Sequence, residues 1–221
     1  AVGIADEAGL VPDPAWKKKT KGEIWYPGDS VNLGIGQGDL LITPLQLANA
    51  AATIATHGRR FQPRLVHSMR DPLTGQMVVV PPRPLPNVKL RDPKGWDVVV
   101  GGMIGVANEG GGTARAAQAG APYKIAGKTG TAQVFSIGQN EKYNESQVQE
   151  RLRDHGLFIA FAPAEAPKLA IGVVVENGRH GSVAAMVARK VFDAYLLPPE
   201  TAAKSETATG EPPPPAGGTD E

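Results

Sequence analysis

Two apolar runs late in the chain constrain its fold more than any other feature. Gly156 to Ala162 places Leu157, Ile159 and Phe161 at every second position, and Lys168 to Glu176 does the same with Leu169, Ile171, Val173 and Val175. A period of two is that of a β-strand, whose side chains alternate between faces. The intervening Pro-Ala-Glu-Ala-Pro (163–167) is short enough to make the two runs an antiparallel hairpin. A third run, YKIAGKTGTAQV from Tyr123 to Val134, predicts another strand.

Helical patterns flank these strands. Ser182 to Leu197 puts Val183, Met186, Val187, Val191 and Ala194 on one face, with Arg189, Lys190 and Asp193 elsewhere, which predicts a closing helix laid on the sheet by its valine face. Upstream, Thr43-Pro44 is an N-cap followed by Pro at the first helical position; Leu47, Ala51 and Ile54 share a face, and Gly58 is the stop. Asp92-Pro93 repeats the start signal before Trp96, Val99, Val100, Met103 and Val106, and Gly110 to Gly112 ends that helix. Its internal Gly101-Gly102 pair costs about 1 kcal/mol per Gly relative to Ala, which predicts close packing there. The expected class is mixed α/β of the α+β type: helices first, then an antiparallel sheet, then a covering helix.

Composition removes several functions. With 23 Lys and Arg against 22 Asp and Glu, the 221-residue chain has a net charge of +1 and lacks the electrostatic footprint of a nucleic-acid binder; the run from Lys17 to Lys21 is too short to restore it. Absence of Cys excludes disulfides, thiol nucleophiles and thiolate metal sites. The four histidines, His57, His67, His155 and His180, have no metal-ligand spacing, so neither metal nor cofactor is expected. His155 and Arg153 flank a strand start, where a solvated or strand-capping role is expected rather than a catalytic one. No stretch approaches the roughly 18 consecutive apolar residues of a membrane span. From Pro198 to Glu221 the sequence is Pro- and Gly-rich with almost no large apolar side chain, and a disordered tail is expected over 198–221. Gly34-Ile-Gly36-Gln-Gly38 lacks dinucleotide-fingerprint spacing and is expected to be a tight loop feeding the Thr43-Pro44 helix.

The strongest chemical signal is Gly127-Lys128-Thr129-Gly130-Thr131. A phosphate loop is excluded, because Pro122 stands where the first glycine is needed and a strand, not a helix, follows the lysine. Two readings remain: an edge strand whose Lys and Thr face water, or a strand edge presenting Lys128, Thr129 and Thr131 side by side to a ligand. In the second, the ammonium and the hydroxyls hold a carboxylate, a backbone N–H points at a developing oxyanion, and Gly130 leaves room for a ligand backbone. K-T-G accompanies S-x-x-K and an S-x-N element in serine acyl-transferring enzymes.

Further segments favour the second reading. WYPGDSVNLGIGQGDLLITPLQLANA (Trp25 to Ala50), NEGGGTA (Asn108 to Ala114), GKTGTAQV (Gly127 to Val134), RLRDHGLFIAFAP (Arg151 to Pro163) and VVVENG (Val173 to Gly178) together resemble the C-terminal part of a class B penicillin-binding protein of the cell-elongation type. The resemblance covers about residues 1–197. It implies the penicillin-binding/β-lactamase-like transpeptidase fold, with 1–197 as the C-terminal portion of that domain. It also implies a peptidoglycan D,D-transpeptidase that crosslinks stem peptides through a serine acyl-enzyme and binds β-lactams. Lys128 then matches the triad lysine, Thr129, Gly130 and Thr131 the substrate-binding strand, and the Thr131 backbone N–H half of the oxyanion hole. Implied partners are stem peptides, β-lactams, a glycosyltransferase and elongation-complex membrane proteins; the implied place is the periplasmic face of the bacterial inner membrane, with an anchor helix upstream.

One part of the pattern is missing. No serine in the chain has Lys three residues on, so the acylated nucleophile is absent. Ser30-Val31-Asn32 fits S-x-N by letters but lies inside PGDSVN and is not expected to be the middle motif. The chain is therefore expected to be a C-terminal fragment, inactive alone, and weakly soluble or partly disordered because loss of the elements that cover the sheet's other face would leave apolar surface exposed. Tyr143 to Arg153 is a polar segment that either borders the cleft or is a plain surface excursion. The alternative function is a non-enzymatic module of the same fold that binds cell-wall peptide or partner proteins; a secreted β-lactamase shares K-T-G but not the WYPGDS, GQG and RLRDHG segments.

Overall fold

The computed structural model describes residues 7–132 and 153–198; the end of the strand predicted to Val134, residues 143–152 of the polar segment and the tail from 199 lie outside the described residues. Helices α1 (Pro14–Lys21), α2 (Pro27–Gly34) and α3 (Pro44–Ala55) come first. Short strands β1 (Arg60–Phe61), β2 (Ser68–Arg70), β3 (Met77–Val79) and β4 (Pro84–Leu85) form two small antiparallel pairs, β1 with β4 and β2 with β3. Helices α4 (Gly95–Asn108) and α5 (Arg115–Gln118) lead into β5 (Ala126–Ala132), β6 (His155–Ala162) and β7 (Leu169–Val175), and α6 (Gly181–Leu196) closes.

The expected hairpin is present: β6 and β7 pair antiparallel from Ala162 opposite Leu169 to Gly156 opposite Val175. Strand β5 pairs with the other side of β6, Lys128 opposite Ile159 and Thr131 opposite Gly156, giving the order β5-β6-β7 with β5 at an edge. Alternation along β6 sends Phe158, Ala160 and Ala162 to one face, where they pack with Ile125 against Ala184, Ala185, Ala188 and Phe192 of α6. Phe161 goes to the other face with Ala126, Met103 and the partly buried Ile54 and Ile104. The central strand is thus apolar on both sides, and each fully buried Phe stabilises the sheet by about 1.5–3 kcal/mol. The sheet's other face is covered by α3 and α4, although large apolar side chains such as Ile24, Leu65 and Leu73 remain exposed elsewhere. Helix α3 comes close enough that a Cβ on Gly172 of β7 would lie 2.8 Å from the Pro44 carbonyl oxygen.

Helix α3 starts as expected, with Thr43 Oγ1 accepting from the Gln46 N–H and Gln46 Oε1 accepting from the Thr43 N–H. Two other helical expectations fail. In α4, a Cβ at Gly101 or Gly102 would meet nothing within 4 Å, so no close packing explains the pair. That helix also begins at Gly95, because the Asp92 side chain caps the preceding turn through the Lys94 N–H.

In α6 the predicted face is reversed. Val183, Val187 and Val191 are exposed, and the buried face is Ala184, Ala185, Ala188 and Phe192 with Arg189 and Asp193. Alanines bring the helix axis close to the sheet, and the two charges are buried because they satisfy each other. Arg189 Nε donates to both Asp193 oxygens at 2.8 Å, and Nη1 donates to the Ala117 and Ala119 carbonyls. The Tyr123 hydroxyl donates to Asp193 as well; burial, reinforced by that carboxylate, pushes its pKa well up. Removing one member of such a buried pair strands the other, at about 3–5 kcal/mol. The network ties α6 and α5 to the approach to β5.

Candidate functional site

Lys128, Thr129, Gly130 and Thr131 lie in β5, and the residues before them are clamped from two sides. Asn108 Nδ2 donates to the Ile125 carbonyl at 2.9 Å, and Gln118 Oε1 accepts from the Ile125 N–H at 2.9 Å. Both backbone groups of Ile125 are therefore met by side chains on the edge that β6 does not occupy.

The same edge continues outward-facing at every second residue. The Thr129 carbonyl accepts from Lys128 Nζ at 2.7 Å, and the Thr131 carbonyl accepts from Gln37 Nε2 at 2.8 Å. In an extended strand the N–H and C=O of one residue point to the same side. The N–H groups of Thr129 and Thr131 thus face the open edge.

A cleft of about 580 Å³ runs along this edge, lined by Lys128, Thr129 and Thr131 together with Gln37, Thr113 and Ser182. Strand alternation sends Lys128 to one face of β5 and the two threonines to the other, and all three line the cleft because β5 is an edge strand of the described sheet. Among the described residues, no Asp or Glu lines it. The first turn of α6 also borders it, and a helix N-terminus adds positive partial charge. The site can hold an anion through an ammonium, hydroxyls and backbone N–H groups.

Three contributors escaped sequence reasoning. Thr113 follows the triple glycine, which folds back on α4 with the Gly112 N–H donating to the Glu109 carbonyl and the Ala114 N–H to the Val106 carbonyl. This brings the Thr113 hydroxyl to 2.8 Å from that of Thr129. Gln37 sits between Gly36 and Gly38, whose φ of 76° and 79° only glycine adopts readily. Gly181 packs so tightly on β5 that a Cβ there would lie 2.7 Å from the Gly130 carbonyl oxygen. The flanking glycines of Gln37 and the position of Thr113 after a glycine run were the available signals.

The other candidates lie elsewhere, His180 excepted. The Ser30 hydroxyl accepts from the Trp25 indole at 2.9 Å in α2 and does not line the cleft. His155 Nδ1 accepts from the Asn177 N–H at the start of β6, a strand-end role, and His57 stacks on Trp96. His180 borders the cleft as the N-cap residue of α6.

Residues 4–193 match the family described as the penicillin binding protein transpeptidase domain. The peptidoglycan D,D-transpeptidase MrdA of Acinetobacter baumannii is 43% identical over 87% of this chain and 28% of its own length. The protein of that name from Escherichia coli K12 is 39% identical over 89% of this chain and 31% of its own. The chain thus spans less than a third of these curated relatives. Among solved structures, Pseudomonas aeruginosa PBP2 in complex with WCK 5153 superimposes with a TM-score of 0.70 at 42% identity, over 86% of this chain and 39% of that one. Helicobacter pylori PBP2 in complex with MreC gives 0.66 at 30% identity, over 87% and 32%.

Proposed function

Because the chain belongs to the penicillin-binding protein transpeptidase family, we propose that it supplies the carboxylate- and oxyanion-binding wall of a peptidoglycan D,D-transpeptidase. The single observation that carries this is the cleft on the open edge of β5, which offers Lys128, Thr129 and Thr131 and, among the described residues, no carboxylate. A peptide ending in D-Ala-D-Ala lies antiparallel to β5. Its terminal carboxylate takes the Thr129 and Thr131 hydroxyls within the field of Lys128. Its scissile carbonyl points at the Thr131 N–H, which stabilises the negative charge that develops when a serine attacks.

That serine is not among the 221 residues, none of which forms S-x-x-K. In this reading it comes from elsewhere in the protein, whose Lys128 also hydrogen-bonds the middle-motif serine. Residues 1–197 are then the C-terminal portion of the transpeptidase domain. β-Lactams enter as mimics of the same peptide end. By extension the intact protein works at the periplasmic face of the inner membrane beside a glycosyltransferase and elongation-complex proteins; among the described residues no helix is long and apolar enough to cross a membrane. Absence of the nucleophile favours a second reading for this stretch alone, peptide binding without turnover.

Labelling with a fluorescent penicillin tests the proposal. K128A in the intact protein should slow acylation about 10- to 100-fold, the loss of one charge-assisted contact, and the 221-residue chain alone should stay unlabelled. Acylation of that chain, or full-rate labelling of folded K128A, would sink it.

A further inference from the structure

Gln37 sits where a ligand backbone belongs. Its Nε2 donates to the Thr131 carbonyl at 2.8 Å, across 94 positions of sequence and on the open edge of β5. A Gln carboxamide is the same chemical group as a peptide amide, so this is the bond an added antiparallel strand would make. In such a strand the residue opposite Thr131 exchanges both bonds with it. If the scissile carbonyl of the peptide takes the Thr131 N–H, the N–H of that same penultimate residue is aimed at the Thr131 carbonyl, the atom Gln37 holds.

The loop that carries Gln37 is fixed without this contact. The Gln37 backbone N–H donates to the Asn32 carbonyl at 2.9 Å, that of Gly36 to Leu33 at 3.0 Å, and Leu41 pairs with Leu10 through bonds of 2.7 and 2.9 Å. Gln37 also borders a hollow lined by Asn32 and Asp39, whose polar groups are within the neighbourhood of a displaced carboxamide.

We infer that Gln37 is a specificity-determining residue: its carboxamide caps the Thr131 carbonyl in the free protein and is displaced by the penultimate amide N–H of the bound peptide. The inference rests on the peptide-pairing role of β5 given above. A ligand with an N–H at that position replaces one neutral hydrogen bond by another, whereas a ligand without it leaves the carbonyl to Gln37.

The test compares the intact protein with Q37A and Q37E, using a stem-type peptide ending in D-Ala-D-Ala and the same peptide N-methylated at its penultimate amide. Q37A should bind the unmodified peptide about two- to ten-fold tighter, the worth of one competing neutral hydrogen bond, with the N-methylated peptide unchanged. Q37E, which keeps the length but turns an acceptor toward the carbonyl, should act in the same direction and serves where Q37A does not fold. Equal weakening of both peptides would make Gln37 a mere anchor and overturn the inference, as would no change in either. Failure of the parent protein to bind either peptide would overturn the pairing role of β5 along with it.

Discussion

Lys17 is 6% exposed yet keeps its charge, because Asp29 Oδ2 lies 2.7 Å from its ammonium, Glu23 3.5 Å, and the Tyr26 ring lies beneath it. The hydrogen bond from Lys17 holds the Asp29 carboxyl below its ordinary 3.8, and that from Asp29 raises Lys17 above 10.5. The signs follow: a lowered carboxylate contributes stability above pH 3.8 and loses it as pH falls through the shifted value, and the raised amine contributes below pH 10.5 and loses it above. Tryptophan fluorescence of Trp16 and Trp25 against pH should therefore show the α1–α2 unit losing stability only below pH 4 on the acid side; D29N should abolish that acid-side dependence, and an unchanged profile would contradict the pairing. In the sequence this lysine belonged to a basic run with no visible partner, because Asp29 lies a turn and a helix away. Lys128 and Thr131 were legible because their motif is local. Gln37 and Thr113 were not, since each reaches β5 through a loop whose path depends on left-handed or tightly packed glycines.

At the scale of elements, the glycines separate packing from propensity. G102A sits on an exposed helical surface where an added Cβ meets nothing, so it should raise stability by about 0.5–1 kcal/mol. G172A, whose Cβ would run into the Pro44 carbonyl and the Ala48 N–H, should lower it by about 1–3 kcal/mol. Denaturant titration of both variants measures the pair, and the same sign for both would contradict the packing of α3 on β7. The hairpin was legible because alternation over seven or eight residues admits few other structures. The orientation of α6 was not, because hydrophobicity alone favours valines over alanines. Closeness to the sheet selects small side chains instead, and the Arg189–Asp193 pair hides two charges that a periodicity argument assigns to solvent.

At the scale of the whole molecule, the three-stranded sheet is covered on both faces, by α6 and α5 on one and by α3 and α4 on the other. The edge strand that bears Lys128 is thus held by buried packing and by the side chains of Asn108 and Gln118, while among the described residues no strand pairs with its outer edge. Neither the second covering layer nor the open edge could be derived from composition or spacing; both follow from how β5, β6 and β7 order themselves. The most direct test of the proposed role is a crystal structure of the intact protein acylated by a penicillin. The ligand carboxylate should lie within about 2.5–3.2 Å of the Thr129 and Thr131 hydroxyls, with its acyl carbonyl oxygen on the Thr131 N–H. A ligand carboxylate outside the cleft, or an acyl oxygen remote from Thr131, would contradict it.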